Sequence, residues 1–404
     1  MTETATSTTT LLSRQEPPQP TLKELKACQF SSYYPTFRKL PQTSKPYPHR
    51  NVTIKSVILP SLPPAFLEYL QRDGVILPKG AEKVSSFLPT DTLDDWSSDE
   101  DQAKEGGGDS VGDEEQTQEP LYHFPELNES IQAVLDELGP VLPKLNWSAP
   151  RDVTWINDSS LKCETIGDVY LLLKSSDFCT HDLNHALEGI QLDEDRDELK
   201  RDQTIESIFG YELVLRKWSH LHKSMEFRCF VSHHQLLAVS QRNHSLHFPH
   251  LKKEQLTIRE QILDFYEACI RDNYAEGAIP DYVFDVYVDK NGRVWLIDFN
   301  LWATRTDSLM FDWDELMQLS HQYVESVSKK HISVEQDLSD TTNVVEVNAR
   351  NQEFQNENPE IRVVETENEI HYDPLASYRA PIDTVDLGAS NSFKAFMAMC
   401  EKPS

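Results

Sequence analysis

No apolar run in the 404-residue chain approaches the roughly 18 residues that a membrane span needs. No CxxC pair occurs among Cys28, Cys163, Cys179, Cys229, Cys269 and Cys400, so neither a zinc site nor a disulfide framework is suggested. Their scatter fits reduced core thiols. Positive charge is scarce: 38 Lys+Arg stand against 67 Asp+Glu, a formal net charge of −29. That balance argues against a nucleic-acid partner and against an electrostatically held membrane protein. Neither GxxxxGKS/T nor GxGxxG is present, which excludes the common glycine-rich phosphate loops. The polar start Met1–Thr10 lacks the basic and apolar segments of a signal peptide. A soluble cytoplasmic protein, monomeric, is expected.

The acidity that is there is concentrated. Residues 91–119 hold 12 acidic side chains and one lysine, and residues 331–370 hold 10 against two arginines, so these segments carry −19 of the −29. Asp94-Asp-Trp-Ser-Ser-Asp-Glu-Asp101, followed by Gly106-Gly-Gly108, cannot bury enough apolar area to offset its ordering entropy, so 91–119 is expected to be a disordered loop. Ser97 and Ser98 precede acidic residues and suit an acidophilic kinase; a solvated spacer is the plainer reading. The expected organisation is a disordered lead over 1–20, an N-terminal part over 21–210 holding the acidic loop, and a C-terminal part over 211–325. An acidic disordered tail over 326–374 follows, then a segment over 375–404 packing back on the core. The charged stretch 188–204 reads as an exposed insertion.

Periodicity gives mixed α and β. Leu127, Ile131, Val134, Leu135 and Leu138 share one helical face, with Pro125 at its start and Gly139-Pro140 at its end. Helices are also expected over 63–71 and over Ile258–Arg271, the latter from the capping box Thr257-x-x-Glu260. Val52–Leu59, Val141–Leu145, Val169–Lys174, Tyr211–Leu215, Glu226–Val231 and Leu236–Ser240 read as strands.

The stretch from Val283 to Asn300 carries the most chemistry. Asn291-Gly292 signals a two-residue hairpin turn, which pairs Lys290 with Arg293, Asp285 with Asp298 and Val283 with Asn300. Alternation then points Asp285, Asp298 and Asn300 to one face. Opposed Cβ atoms lie about 4.5–5.5 Å apart, and two carboxylates near that distance repel by roughly 3 kcal/mol at an effective dielectric of about 20. Protonation of one, open water, or a metal between them would relieve this. Three convergent oxygen donors suit Mg²⁺, which takes one or two carboxylates plus substrate phosphates; a solvated acidic face with no ligand is the alternative.

Basic groups upstream are candidates for phosphates. Lys144 opens the glycine-free loop Leu-Asn-Trp-Ser-Ala-Pro-Arg151-Asp152, Lys174 closes an apolar run, Arg216 and Lys217 follow Glu212-Leu-Val-Leu215, and Arg228 alternates with Phe227 and Cys229. Singly, each suits a solvated or paired charge; their concentration in an acidic chain raises the phosphate reading. His181-Asp-Leu-Asn-His185 has the spacing of a metal pair without a zincin glutamate.

The longer motifs are Cys28-Gln-Phe-Ser-Ser, Pro143-Lys-Leu-Asn-Trp-Ser-Ala-Pro-Arg-Asp152, Glu212-Leu-Val-Leu-Arg-Lys-Trp218, Glu226-Phe-Arg-Cys-Phe230, Ser240-Gln-Arg242, Val294-Trp-Leu-Ile-Asp-Phe-Asn300 and Thr306-Asp-Ser-Leu309. In these, from Cys28 to about Leu316 and again at Ser377–Leu387, the chain closely resembles the cell division cycle protein 123 family. The resemblance implies a divergent ATP-grasp-like α+β fold, two parts clamping Mg-ATP. It also implies an assembly factor that binds the gamma subunit of eukaryotic translation initiation factor 2, with roles in translation initiation and cell-cycle progression. Carried over by motif, Lys144 would contact phosphates, and the loop Asn146–Asp152 would cover the nucleotide with Trp147, Ala149 and Arg151 nearest. Arg216, Lys217 and Trp218 would form the hinge whose backbone receives adenine. Arg228 and Arg242 would reach phosphates, and Asp285, Asp298 and Asn300 would hold Mg²⁺. Leu301-Trp302 departs from the Pro-Phe that commonly follows Asp-Phe-Asn in the family.

Three readings remain open on these residues: an ATP-binding assembly chaperone, an ATP-grasp carboxylate–amine ligase working through an acyl phosphate, and a degenerate site that acts only through its acidic surface. If the acidic loop is a spacer, deleting residues 97–116 leaves ATP affinity unchanged by calorimetry; lost affinity or a misfolded product would contradict that reading.

Overall fold

The computed structural model describes residues 16–41, 47–85, 122–157, 160–191, 205–337 and 358–372. Most of the lead, the acidic loop with Ser97 and Ser98, residues 192–204 of the insertion, and the segment 375–404 lie outside the described residues. In chain order the elements are α1 (Leu22–Cys28), α2 (Phe30–Arg38), β1 (Ser56–Pro60), α3 (Pro64–Gln71), α4 (Pro125–Leu138), β2 (Val141–Lys144), α5 (Ile166–Ser175), α6 (Asp177–Asn184), α7 (Ile205–Phe209) and β3 (Glu212–Lys217). They continue with β4 (Glu226–Ser232), β5 (Gln235–Gln241), α8 (Leu251–Phe265), β6 (Tyr282–Val288), β7 (Val294–Leu301), α9 (Trp313–Asp337) and β8 (Glu360–Arg362). The class is mixed α+β, as expected. Among the described residues no helix is long and apolar enough to cross a membrane.

The elements group into two compact units. The first comprises the described parts of Lys55–Leu187 and Asp202–Ser219. Its sheet has the order β1-β3-β2, all antiparallel, with Arg216 of β3 opposite Ser56 on one side and Leu142 on the other. Central position explains the composition of β3, whose Leu213, Val214 and Leu215 are fully buried. Phe66, Tyr69, Phe124 and Tyr170 form an aromatic cluster that joins α3, α5 and the residue before α4. Helix α4 matches its expected span, and its five expected face residues are all buried.

The second unit comprises the described parts of Met1–Ile54, Glu188–Arg201 and His220–Asp373. Its sheet has the order β7-β6-β4-β5-β8, antiparallel except for the β5–β8 pair. Phe230, Ala238, Val283, Trp302, Phe311 and Leu316 form a core cluster. Helix α2 covers β7, with the Tyr33 and Phe37 rings at 4.9 and 5.4 Å from Phe299. That packing draws the N-terminal segment into this unit, whereas the expected boundaries placed residues 21–210 together.

Three other expectations change. Val169–Lys174 is not a strand but part of α5, capped by the reciprocal Thr165–Asp168 hydrogen bonds. Val169 to Leu173 are all buried, and a run without a polar face has no period to separate helix from strand. The helix expected from Ile258 starts seven residues earlier, on buried Leu251, and continues as a π-helical turn over Tyr266–Ile270, so Thr257 is interior rather than a cap. The tail expected over 326–374 holds regular structure among its described residues: α9 runs to Asp337, and the strap 358–372 joins the sheet edge through β8, with Val363 and Val364 buried. Arg362 holds this strap, pairing with Glu315 at 2.9 Å, donating to the Met310 carbonyl and lying over the Phe311 ring.

Gly167, in the first turn of α5, admits no side chain: a Cβ there would sit 2.5 Å from the Ala81 carbonyl oxygen and closer still to that of Lys83. An open helical Gly→Ala change stabilises by about 0.5–1 kcal/mol. Gly167→Ala is expected instead to destabilise by about 1–3 kcal/mol in urea unfolding, the cost of overpacking.

Candidate functional site

The β6–β7 hairpin brings the expected carboxylates together by an unexpected route. Asp285 pairs with Asp298 and Val283 with Asn300, as the sequence predicts. Nearer the turn, however, Val286 faces Leu296 and Val288 faces Val294, a register displaced by one residue. The turn is longer than two residues: the Asp289 N–H donates to the Arg293 carbonyl, and Gly292, at φ +75°, closes the loop. The Asp289 carboxylate accepts from the Asn291 and Arg293 N–H groups and from the Trp295 indole. A bulge between Asp285 and Val286 then restores the alignment at the carboxylates.

Asp285 is 1% exposed. Its repulsion with Asp298 is relieved by arginine. Arg228, opposite it on β4, donates from Nε to Oδ1 at 2.8 Å and from Nη2 to Oδ2 at 3.0 Å. Arg242 Nη1 lies 2.8 Å from Oδ2, and Asn300 Nδ2 donates to the same oxygen at 3.4 Å. Arg228 Nη1 also donates to the Asp307 carbonyl at 2.7 Å. Burial opposes the charge of Arg228, yet Asp285 holds its pKa above the ordinary value. Asp298 is half-buried and accepts from the Tyr33 hydroxyl at 2.8 Å. Beside them Glu226 lies 3.6 Å from Arg242 Nε, and its carboxyl is pushed up to about 7 by burial and then by the Asp285 charge, against Lys223. Leu301 and Trp302, where the chain departs from the family pattern, are buried, with Trp302 edge-on to Trp313.

Two carboxylates and a side-chain amide are hard oxygen donors and fit Mg²⁺. Asn300 turns its nitrogen to Asp285, which leaves its amide oxygen as the donor. Asp285 could join such a set only by sharing an oxygen that already accepts from Arg228, with Arg242 and Asn300 also on Oδ2. Among the described residues no three His, Cys, Asp or Glu side chains gather into a metal cage; the His181 and His185 ring centroids lie 5.6 Å apart.

The remaining candidates lie in the three-stranded unit. Lys144 ends β2, is 2% exposed and helps keep the Asp182 carboxyl from rising further. Asp182, missed in the sequence, organises the following loop: it accepts from the Trp147 N–H at 3.0 Å and from the Ser148 N–H and hydroxyl at 2.7 Å each. Burial raises its pKa despite these donors. Asn146 bridges the Gly210 carbonyl and the Glu212 N–H, and Asp152 accepts from the Ser176 hydroxyl and the Asp177 N–H at the start of α6. Trp147 lies edge-on to Phe209 at 5.2 Å, Ala149 is half-buried and Arg151 is exposed. Arg216 is buried, Lys217 exposed and Trp218 half-buried. The Lys217 and Trp218 N–H groups donate to the carbonyls of Lys55 and Pro140, so the carbonyl oxygens are the hinge groups outside these bonds. Lys174 has a structural post: its ammonium meets the carbonyls of Tyr69, Leu70 and Arg72 at the end of α3, and burial pushes its pKa down to about 8.

Tyr33 and Glu226 were also missed as site residues. Glu226 lies within a motif already singled out, but Tyr33 gives no local signal, standing 265 positions from its partner.

The site thus defines a mixed α+β protein with a hard-oxygen hairpin face bordered by arginines. The chain belongs to the D123 family, whose model matches residues 47–388. It is 36% identical over 362 residues to a translation initiation factor eIF2 assembly protein of Xenopus tropicalis, covering 89% of this chain and 90% of that one. It is 42% identical over 282 residues to a cell division cycle protein 123 of Phaeosphaeria nodorum, covering 69% and 68%. The solved structure of Cdc123 from Schizosaccharomyces pombe is similar at a TM-score of 0.54 and 33% identity, over 74% of this chain and 92% of that one.

Because the folded pKa of Glu226, about 7, lies above the ordinary 4.5, the folded state holds this proton more tightly than the unfolded chain. Its contribution to stability is fully present below pH 4.5 and is lost as pH rises through 7. Without nucleotide, Glu226→Gln is expected to gain about 2–3 kcal/mol relative to wild type between pH 5 and pH 8. Parallel pH–stability curves in chemical denaturation would refute this.

Proposed function

We propose that the chain is an Mg-ATP-binding assembly factor for eukaryotic translation initiation factor 2 with an ATP-grasp-like fold, acting in the cytoplasm on its gamma subunit. The assembly role rests on family membership and on the names of the relatives; the nucleotide rests on one observation, the Asp285–Asp298–Asn300 face with Arg228 and Arg242 beside it. Mg²⁺ would neutralise phosphate charge at that face. Asp298 and the Asn300 amide oxygen are its ligands, with Asp285 as the third when Arg242 turns to phosphate. Arg228, bidentate on Asp285 and pinned to the Asp307 carbonyl, keeps the face in register. Lys144 would supply a buried cation, the loop Asn146–Asp152 would cover the nucleotide, and the carbonyls at Lys217 and Trp218 would receive the adenine amino group. Cell-cycle progression would depend on the protein through initiation-factor supply.

Isothermal titration is expected to show ATP binding with Mg²⁺ that is lost in EDTA and in Asp298→Ala. Capture of the gamma subunit by wild type and not by the variant would tie site to partner. Equal ATP affinity with EDTA, or in Asp298→Ala, would refute the metal assignment.

A further inference from the structure

The hydroxyl of Tyr33, on α2, donates to Asp298 Oδ1 at 2.8 Å. The Phe299 N–H reaches the same oxygen at 3.1 Å. Two donors on one oxygen set the rotation of a carboxylate. The tyrosine is itself held in place: it is 3% exposed, and its ring lies edge-on to Phe299 at 4.9 Å, to Phe30 at 5.2 Å and to Phe37 at 6.4 Å. Phe299 in turn stacks on Tyr274 with centroids 3.9 Å apart and planes 12° from parallel. Tyr274 contacts Cys28 of α1 through its hydroxyl at 3.4 Å. The segment that carries the tyrosine is thus bolted to β7 by a packed aromatic column, and the hydroxyl has little room to swing away. This gives the Cys28-Gln-Phe-Ser-Ser motif a physical purpose. It places the helix that brings a donor to a carboxylate far along the chain.

We propose that Tyr33 is a positioning residue for the divalent cation that accompanies ATP: its hydroxyl orients the Asp298 carboxylate toward the metal without touching the metal itself. The inference rests on the assignment of Asp298 as a ligand. Partners of metal-ligating carboxylates alter metal affinity by about 10–100-fold. Because the Phe299 N–H remains on the same oxygen, the lower end of that range is expected here.

The test uses the full-length protein with ATP held constant and Mg²⁺ titrated, comparing wild type with Tyr33→Phe, which keeps the ring and removes one oxygen. The Mg²⁺ half-saturation is expected to rise about ten-fold in Tyr33→Phe. Mn²⁺ in place of Mg²⁺, followed by the spin-resonance signal of the free ion, should show the same weakening directly on the metal. Replacing Tyr33 with p-aminophenylalanine restores a para donor, and half-saturation should return to within about three-fold of wild type. Unchanged half-saturation in a cooperatively melting Tyr33→Phe, or no rescue by the amino analogue, would overturn the positioning role alone. A Tyr33→Phe that has no cooperative melt would assign the hydroxyl to folding and overturn it too. Wild-type ATP binding indifferent to Mg²⁺ would instead overturn the site assignment beneath it.

Discussion

A carboxylate in the middle of a sheet loses the water that stabilised it, and only a well-aligned cation with further hydrogen bonds offsets several kilocalories of desolvation. The five-stranded sheet is arranged around that constraint at Asp285. Arg228 reaches it from the neighbouring strand in the bidentate fork that guanidinium and carboxylate favour, Arg242 arrives from beyond the end of β5, and Asn300 leans in from β7. Loss of the Asp285 carboxylate would leave the buried Arg228 without its ion partner, at about 3–5 kcal/mol. The remaining arm of Arg228 holds the Asp307 carbonyl, so the same ion pair anchors the loop that follows β7. That loop is held at its far side by Arg362 on the Met310 carbonyl.

The backbone of the hairpin serves the same end. Asp289 ties its own turn with three donors, and the resulting loop shifts the strands by one residue. Had that register continued, Asp285 would oppose Ile297, and Asp298 would point to the other face of the sheet. The bulge at Asp285/Val286 absorbs the extra residue and returns Asp298 and Asn300 to the side of Asp285. An irregularity in the ladder is therefore what makes the oxygen face continuous.

This explains how the pairing of Asp285 with Asp298 was legible in the sequence although the assumed turn was too short: a loop one residue longer and a bulge of one residue cancel. The helix at 125–138 and the strands around Glu212, Glu226 and Leu236 were legible because each has a period or bounding turns. Val169–Leu173 was not, because burial on every side erases the polar face that distinguishes a helix. Average acidity hid the strap at 358–372, where one arginine and two valines decide the docking. Arg228 and Tyr33 could be read as a cation and an aromatic, but not as the neighbours of Asp285 and Asp298. Their partners lie 57 and 265 positions away, and only the packed sheet brings them together.

The loop Asn146–Asp152 shows how one motif divides its labour. Asn146 has both ends of its amide committed to the backbone around β3, and Asp152 has both oxygens committed to the start of α6. Neither can meet a ligand without releasing buried donors or acceptors, at about 1–3 kcal/mol for each group left unsatisfied. Asp182 performs a third such task from outside the motif, gathering three donors from Trp147 and Ser148. The loop is thereby fixed without glycine. A glycine-rich phosphate loop approaches its ligand with bare backbone; here three buried polar side chains spend their hydrogen bonds on holding the curve. The side chains of the exposed Arg151 and the half-buried Ala149 stand outside these scaffold bonds.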